Sequence, residues 1–346
     1  MGDLAVWTDL SVQSFKSVSK VAYDPERAPL VRTLQINAPL ANSQDEPMKW
    51  NRDADGTLLL FGGPFEAWLD ILRQFRNCRV LNIYLTDVTI HYRPGLLTQD
   101  ELFIVALTLA SDAKFHLEAL ILDSNTRHFD PPAPTPDYGV DMARLFSRLN
   151  LMVVKSDLQM DALRSFIPQV MRYANGLRSL TIDCRGSDDL TSSSFFNRIL
   201  SAKPKFKLDK LVLKGGMFKS GTSPLSLLSR HCGANLRVVE FLSVQIEDEG
   251  QWTMVLGGLA ADFKGLKSLD LARLLEGRDA ASVRCLQWPS ELNPLVQGRK
   301  FGPVFTNAGW VGHEVGGSKV IVQISHHETG TMTAAVEKLL ESAKMA

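Results

Sequence analysis

The chain has 346 residues, 45% of them apolar and 22% charged, and its 38 Lys+Arg balance 38 Asp+Glu. That composition belongs to a packed globular protein and excludes wholesale disorder. The missing basic surplus argues against general nucleic-acid binding, which draws its affinity from neutralised phosphates.

The length admits two ordinary domains or one elongated repeat domain whose core grows by stacking. Cys78, Cys184, Cys232 and Cys285 lie far apart and form no CxxC pair. This spacing fits neither a disulfide scaffold nor a zinc ribbon, and it suits a reducing compartment. No run of about 18 apolar residues is present, so no membrane span is expected. The opening Met1-Gly2-Asp3-Leu4-Ala5-Val6 has no secretory-signal pattern and no Ser/Thr at position 6 for myristoylation. The expected location is cytoplasmic or nuclear, with no membrane or nucleic-acid partner.

In chain order, Trp7, Leu10, Phe15, Val18 and Val21 can line one side of a helix or helix pair. Residues 1–30 therefore read as an N-terminal cap, or as the remnant of a preceding domain. Val31-Arg-Thr-Leu34-Gln-Ile36 follows, an apolar-x-x-apolar-x-apolar phrase. A polar loop (Asn42 to Gly56) and a short apolar run (Thr57 to Phe61) lead to a helix from about Pro64 to Arg76. Pro64 suits a first turn, and Phe65, Trp68, Leu69, Leu72 and Phe75 recur at helical spacing. Cys78-Arg-Val-Leu81-Asn-Ile83 repeats the phrase, followed by a helix over Thr98 to Leu109. Leu117-Glu-Ala-Leu120-Ile-Leu122 repeats it again and continues into Asp123-Ser-Asn125. The Pro-dense stretch 125–137 resists both helix and ladder and reads as an exposed insertion. Phe146-Ser-Arg-Leu149-Asn-Leu151 resumes the phrase, and a helix is expected over Asp157 to Ala174.

The most regular block comes next: Leu177-Arg-Ser-Leu180-Thr-Ile182, Leu208-Asp-Lys-Leu211-Val-Leu213, Leu236-Arg-Val-Val239-Glu-Phe241 and Leu266-Lys-Ser-Leu269-Asp-Leu271. Helices fit the gaps, near Ser193 to Ala202, Ser223 to His231 and Gln251 to Phe263. The central positions are 34, 81, 120, 149, 180, 211, 239 and 269, in steps of 47, 39, 29, 31, 31, 28 and 30. Self-similarity at such a period points to an α/β solenoid of leucine-rich-repeat type over residues 31–288. Its parallel strands line the concave face of a horseshoe and its helices the convex face. Ala280 to Leu286 reads as a last helix, Lys319 to Ile324 as a strand and Thr331 to Lys344 as an amphipathic helix. Residues 289–346 form an atypical C-terminal cap.

Within each phrase the apolar residues alternate with residues that face outward, the period of a strand with one buried face. The outward positions collect Asn82, Tyr84, Ile121, Asp123, Asn150, Met152, Thr181, Asp183, Lys210, Val212, Lys214, Glu240, Leu242 and Asp270. Polar and charged groups interleaved with Ile121, Met152, Val212 and Leu242 suit a protein surface better than a small ligand.

Other motifs carry less. Gly216-Met-Phe-Lys-Ser-Gly221-Thr222 has Thr222 where a phosphate loop needs Lys directly after the second glycine, so it reads as a loop of the array. The glycines at 309, 312, 316 and 317 do not follow GxGxxG. His326-His327-Glu328 would point to alternate faces of a strand, which prevents joint chelation. No GxSxG or HExxH occurs, and His91, His116, His128, His231 and His313 are isolated. No catalytic residue, metal or cofactor is expected, and the chain is not expected to be an enzyme.

The phrases, their 28-to-31 spacing, and the lead-in Ser17-Val-Ser-Lys20…Ala28-Pro-Leu-Val31-Arg-Thr-Leu34 resemble leucine-rich-repeat proteins of the fungal F-box type. That resemblance implies repeats that present a protein substrate to a cullin-type ubiquitin ligase, and an F-box that binds a Skp-type adaptor. The sequence departs from the family at its start, with no Leu-Pro-x-Glu-type opening before Leu10, so the adaptor is expected only if an F-box precedes this chain. Only Asn125 stands where the repeat consensus asks for Asn or Cys. The expected function is a protein-binding scaffold. A regulatory scaffold for a small GTPase is the alternative, and an enzyme using residues 300–346 a third.

Overall fold

The computed structural model describes residues 9–12, 15–37, 50–85, 97, 99–124, 140–156, 161–184, 196, 198–199, 206–263, 265–272, 274–277, 284–287, 321–325 and 344–345. The chain falls into two compact units, Met1–Leu177 and Arg178–Ala346, a division inside the stretch expected as one array. Both units are α/β: parallel strands alternate with helices.

The first unit contains β1 (Asp9–Val12), β2 (Thr33–Asn37), β3 (Val80–Leu85), β4 (Ala119–Ser124) and β5 (Leu151–Ser156), side by side in sequence order and all parallel. The phrase explains the register. Leu34, Leu81, Leu120 and Met152 fall opposite one another on successive strands, as do Ile36, Ile83, Leu122 and Val154, and all eight are buried. The leading residues Val31, Cys78, Leu117 and Leu149 are buried as well. Burying each large aliphatic side chain contributes about 1.5–3 kcal/mol, and a slip by one residue would turn every one of them outward.

Between the strands run α1 (Phe15–Ala22), α2 (Gly63–Leu72), α3 (Gln99–Asp112) and α4 (Met142–Phe146), and α5 (Asp161–Tyr173) follows β5. In α2, Pro64 occupies the first turn and Phe65, Leu69 and Leu72 are buried. Trp68 meets Phe15 edge-on at 5.1 Å, which joins α1 to α2. Phe166 of α5 packs edge-on against Phe103 of α3 at 5.1 Å and Phe146 of α4 at 6.2 Å. Arg52 donates to both carboxylate oxygens of Glu101 of α3 through its two terminal guanidinium nitrogens, the Nη2 contact being 2.7 Å.

The second unit carries two sheets. In the first, β6 (Ser179–Cys184), β7 (Lys210–Lys214), β9 (Val238–Leu242) and β11 (Ser268–Ala272) are parallel, and β14 (Ile321–Ser325) closes the row antiparallel to β11. Leu180, Leu211, Val239 and Leu269 stack, as do Ile182, Leu213, Phe241 and Leu271. In the second sheet, β8 (Met217–Phe218), β10 (Gln245–Ile246) and β12 (Leu275–Glu276) are parallel, then β13 (Arg284–Gln287) and β15 (Lys344–Met345) join antiparallel. Among the described residues, helices α6 (Thr222–His231) and α7 (Gln251–Asp262) follow β8 and β10.

Left-handed residues join the two sheets. Gly216 at φ +88° turns the chain from β7 into β8, and Ser243 at φ +56° does the same before β10. A Cβ on Gly216 would lie 2.7 Å from Cε2 of Phe196, whose ring stacks on Phe218 at 4.4 Å. Glu276, buried at the end of β12, accepts hydrogen bonds from the backbone N–H groups of Gly250 and Trp252. These are orphan donors at the N-terminus of α7, where a carboxylate also meets the positive end of the helix dipole. The Trp252 indole N–H donates to the Leu275 carbonyl at 2.9 Å, which locks the same corner.

Several expectations are corrected. The fourth phrase is Leu149-Asn-Leu-Met152-Val-Val154, three residues later than the one expected, because Phe146 belongs to α4. The first 30 residues contribute a strand, β1, in addition to helix α1. Where a last helix was expected over Ala280 to Leu286, the described residues Arg284–Gln287 form strand β13. The Pro-rich insertion 125–137, the Gly-rich stretch 309–317, His326-His327-Glu328 and most of the Ser193–Ala202 and Thr331–Lys344 helices lie outside the described residues.

Candidate functional site

The outward positions of the strands form columns, because parallel pairing in register places equivalent residues about 4.8 Å apart. In the first unit one column runs Gln35, Asn82, Ile121, Val153 and the next runs Asn37, Tyr84, Asp123, Lys155. Asn82, Tyr84, Ile121, Val153, Asp123 and Lys155 are each partly exposed. Lys155 donates to Asp123 Oδ2 at 2.9 Å across a directly opposed pair. Such a pair stabilises the ladder by roughly 0.2–1 kcal/mol. The side-chain oxygen of Asn82 is buried and has no hydrogen-bond partner.

In the second unit the corresponding columns run Thr181, Val212, Glu240, Asp270 and Asp183, Lys214, Leu242, Ala272. Lys210 Nζ reaches diagonally to Glu240 Oε1 at 2.6 Å. Asp270 stands directly opposite Glu240 on the neighbouring strand. Burial, then the Glu240 carboxylate, raise the Asp270 pKa above the usual carboxylate range, with Lys214 and Lys210 opposing.

Of the fourteen outward positions named from the sequence, three are placed differently. Met152 is fully buried, a consequence of the shifted fourth phrase, and Lys155 takes the outward place assigned to it. Asn150 is exposed but precedes β5, and Val153 holds its place in the column. Val212 is 2% exposed, so it belongs to the packed interior although its strand position faces the column. The other eleven are partly exposed on their strands. Sequence reasoning missed Val153 and Lys155. Alternation counted back from Ser156 finds both.

The glycine motif at 216–222 is a packed turn. Its second strand residue, Phe218, is buried, the Gly221 N–H donates to Gln251 Oε1 at 3.2 Å, and Ser220 and Thr222 bond to each other at 2.8 Å. The Gly221 backbone donor is thus committed to the protein. Burial pushes the Cys78 and Cys232 thiols up to about 12, so neither carries thiolate character near neutrality. Among the described residues no group of three His, Cys, Asp or Glu side chains is arranged to hold a metal ion, and no helix is long and apolar enough to cross a membrane.

Comparison with protein-family models and with curated proteins gives no match.

Proposed function

We propose that the chain is a protein-binding scaffold of leucine-rich-repeat type, with the outward columns of its parallel strands as the concave binding face of a solenoid. The observation that carries this reading is the in-register row of partly exposed, chemically mixed side chains, with Tyr84 and Ile121 among Asn82, Asp123 and Lys155 in the first unit. Aromatic and aliphatic groups set within polar ones are the make-up of a protein interface, and backbone-fixed columns offer them without an ordering cost. The finer form, taken from the family resemblance, is substrate recognition for a cullin-type ubiquitin ligase through a Skp-type adaptor.

The test is affinity capture with the wild-type chain beside a variant carrying Tyr84→Ala, Lys210→Ala, Lys214→Ala and Glu240→Ala. The proposal expects specific partners to be lost from the variant while its thermal unfolding remains cooperative. Equal recovery of every partner by both proteins would sink it. A Skp-type adaptor among the recovered proteins would carry the ligase form, and its absence would remove that form alone.

A further inference from the structure

The apolar run that precedes α2 takes no part in the core. Leu58, Leu59 and Leu60 are partly exposed and Phe61 is 63% exposed. Four consecutive large apolar residues that reach solvent are a solubility liability unless something covers them. The chain nevertheless fixes this run in place. Leu58 pairs with Arg52 in an antiparallel bridge, the Leu59 N–H donates to the Asn51 carbonyl at 2.9 Å, and the Asp53 N–H donates to the Thr57 carbonyl at 3.0 Å. Asp53 Oδ1 accepts from the N–H groups of Asp55 and Thr57 at 3.0 and 2.8 Å. Arg52 donates to the Gly56 carbonyl at 2.9 Å and ties the hairpin to Glu101 of α3, while the Asn51 side chain lies against Gly62 and Gly63 at the start of α2. A hairpin braced in this way offers its apolar side chains to a partner with little ordering cost.

The free charge around the run is of one sign. Asp53 and Asp55 in the hairpin and Glu66 in the first turn of α2 are exposed, whereas the Arg52 guanidinium is neutralised by Glu101. Further along α2, Asp70 is paired with Arg73 at 3.2 Å, so the uncompensated acidity is confined to the hairpin and the start of the helix. Such a field repels anionic lipid and favours a cationic partner. We propose that hairpin 50–61 and the first turn of α2 form a second docking surface, for a partner-protein segment that carries large apolar side chains flanked by lysine or arginine. Phe61 and the leucines meet the apolar side chains, and Asp53, Asp55 and Glu66 meet the basic ones. None of these residues belongs to the strand columns, so this surface stands or falls separately from the binding face above.

The experiment selects random displayed peptides on the full chain and measures the selected peptides by fluorescence polarisation. The expected peptides combine two or more large apolar residues with lysine or arginine, bind more weakly as salt rises, and lose about ten-fold or more in affinity on Phe61→Ser. Asp55→Lys combined with Glu66→Lys should weaken them by a similar factor. Tyr23→Ser, at an aromatic residue 65% exposed at the end of α1, should leave them unchanged. All these substitutions fall on exposed side chains, so the urea midpoints should match the wild type. Selection of no peptide, of acidic peptides, or of peptides indifferent to Phe61→Ser overturns the proposal. Peptides weakened by Tyr84→Ala and not by Phe61→Ser also overturn it and return binding to the strand columns. Two further results replace the occupant and so refute the proposal: self-association of the wild type, read by light scattering, that Phe61→Ser abolishes, or binding to neutral or anionic lipid vesicles that the same variant abolishes.

Discussion

Replacing His231 by leucine should flatten the acid side of the stability curve. His231 ends α6 with its ring fully buried, 6.0 Å from the Phe206 ring, and neither ring nitrogen has a hydrogen-bond partner of good geometry. Burial lowers its pKa from 6.5 to about 4; the nearby charges of Lys207 and Arg230 act in the same direction, and the Ile199 backbone opposes them. The folded pKa is depressed, so between pH 6.5 and pH 4 the unfolded chain takes up a proton that the folded chain refuses. The contribution is therefore complete above pH 6.5 and is lost on acidification, at about 1.4 kcal/mol per pH unit, or about 3 kcal/mol in all by pH 4. Urea unfolding of wild type and His231→Leu at pH 7.5, 6 and 5 isolates this site, because the other titrating groups are shared. The wild type should lose about 2 kcal/mol more than the variant between pH 7.5 and pH 5. Parallel stability curves would refute the reasoning, as they would mean that His231 reaches water or a hydrogen-bond acceptor.

Two further perturbations separate neighbouring readings. Met152→Ala should destabilise the first unit by about 2–5 kcal/mol, because a fully buried side chain leaves a cavity, whereas Asn150→Ala should stay within about 0.5 kcal/mol. Chemical denaturation would show the reverse order if the fourth phrase were centred on Leu149. Gly216→Ala should cost more than Gly250→Ala. Both glycines have positive φ, worth about 1–2 kcal/mol to a residue with a Cβ, but only Gly216 would also drive that Cβ into Phe196, while Gly250 faces open space. Thermal unfolding of the two variants decides it, and equal shifts would count against the packed turn.

The strands were legible where one face alone is apolar. In Leu266-Lys-Ser-Leu269-Asp-Leu271 the outward residues are Ser268 and Asp270, so register follows from the pattern, and the observed pairing of Leu269 with Val239 agrees with it. Around the fourth phrase that contrast disappears. Leu145 and Phe146 are helical core, and Leu149, Leu151, Met152, Val153 and Val154 make a run apolar on both strand faces. Several registers then fit the same letters. The Lys210-Leu-Val-Leu-Lys214 strand has the same ambiguity, which hid the burial of Val212. The two-residue strands of the second sheet were not legible at all, since Met217–Phe218 and Gln245–Ile246 are too short for any periodicity and depend on tertiary pairing. The site was legible as positions rather than as electrostatics. The conflict between Glu240 and Asp270 exists only once two strands from distant parts of the chain are paired.

The most direct measurement of the central claim uses a photo-crosslinking residue placed at one position at a time in the full chain. Tyr84 and Ile121 lie on the outward strand face of the first unit, and Asp70 and Arg73 are exposed at the end of α2 in the same unit. Irradiation in extract should give discrete protein adducts from positions 84 and 121 and none from positions 70 and 73. Adducts from the α2 positions alone would contradict the account, because they would place binding on the helices and leave the strand columns as solvated surface.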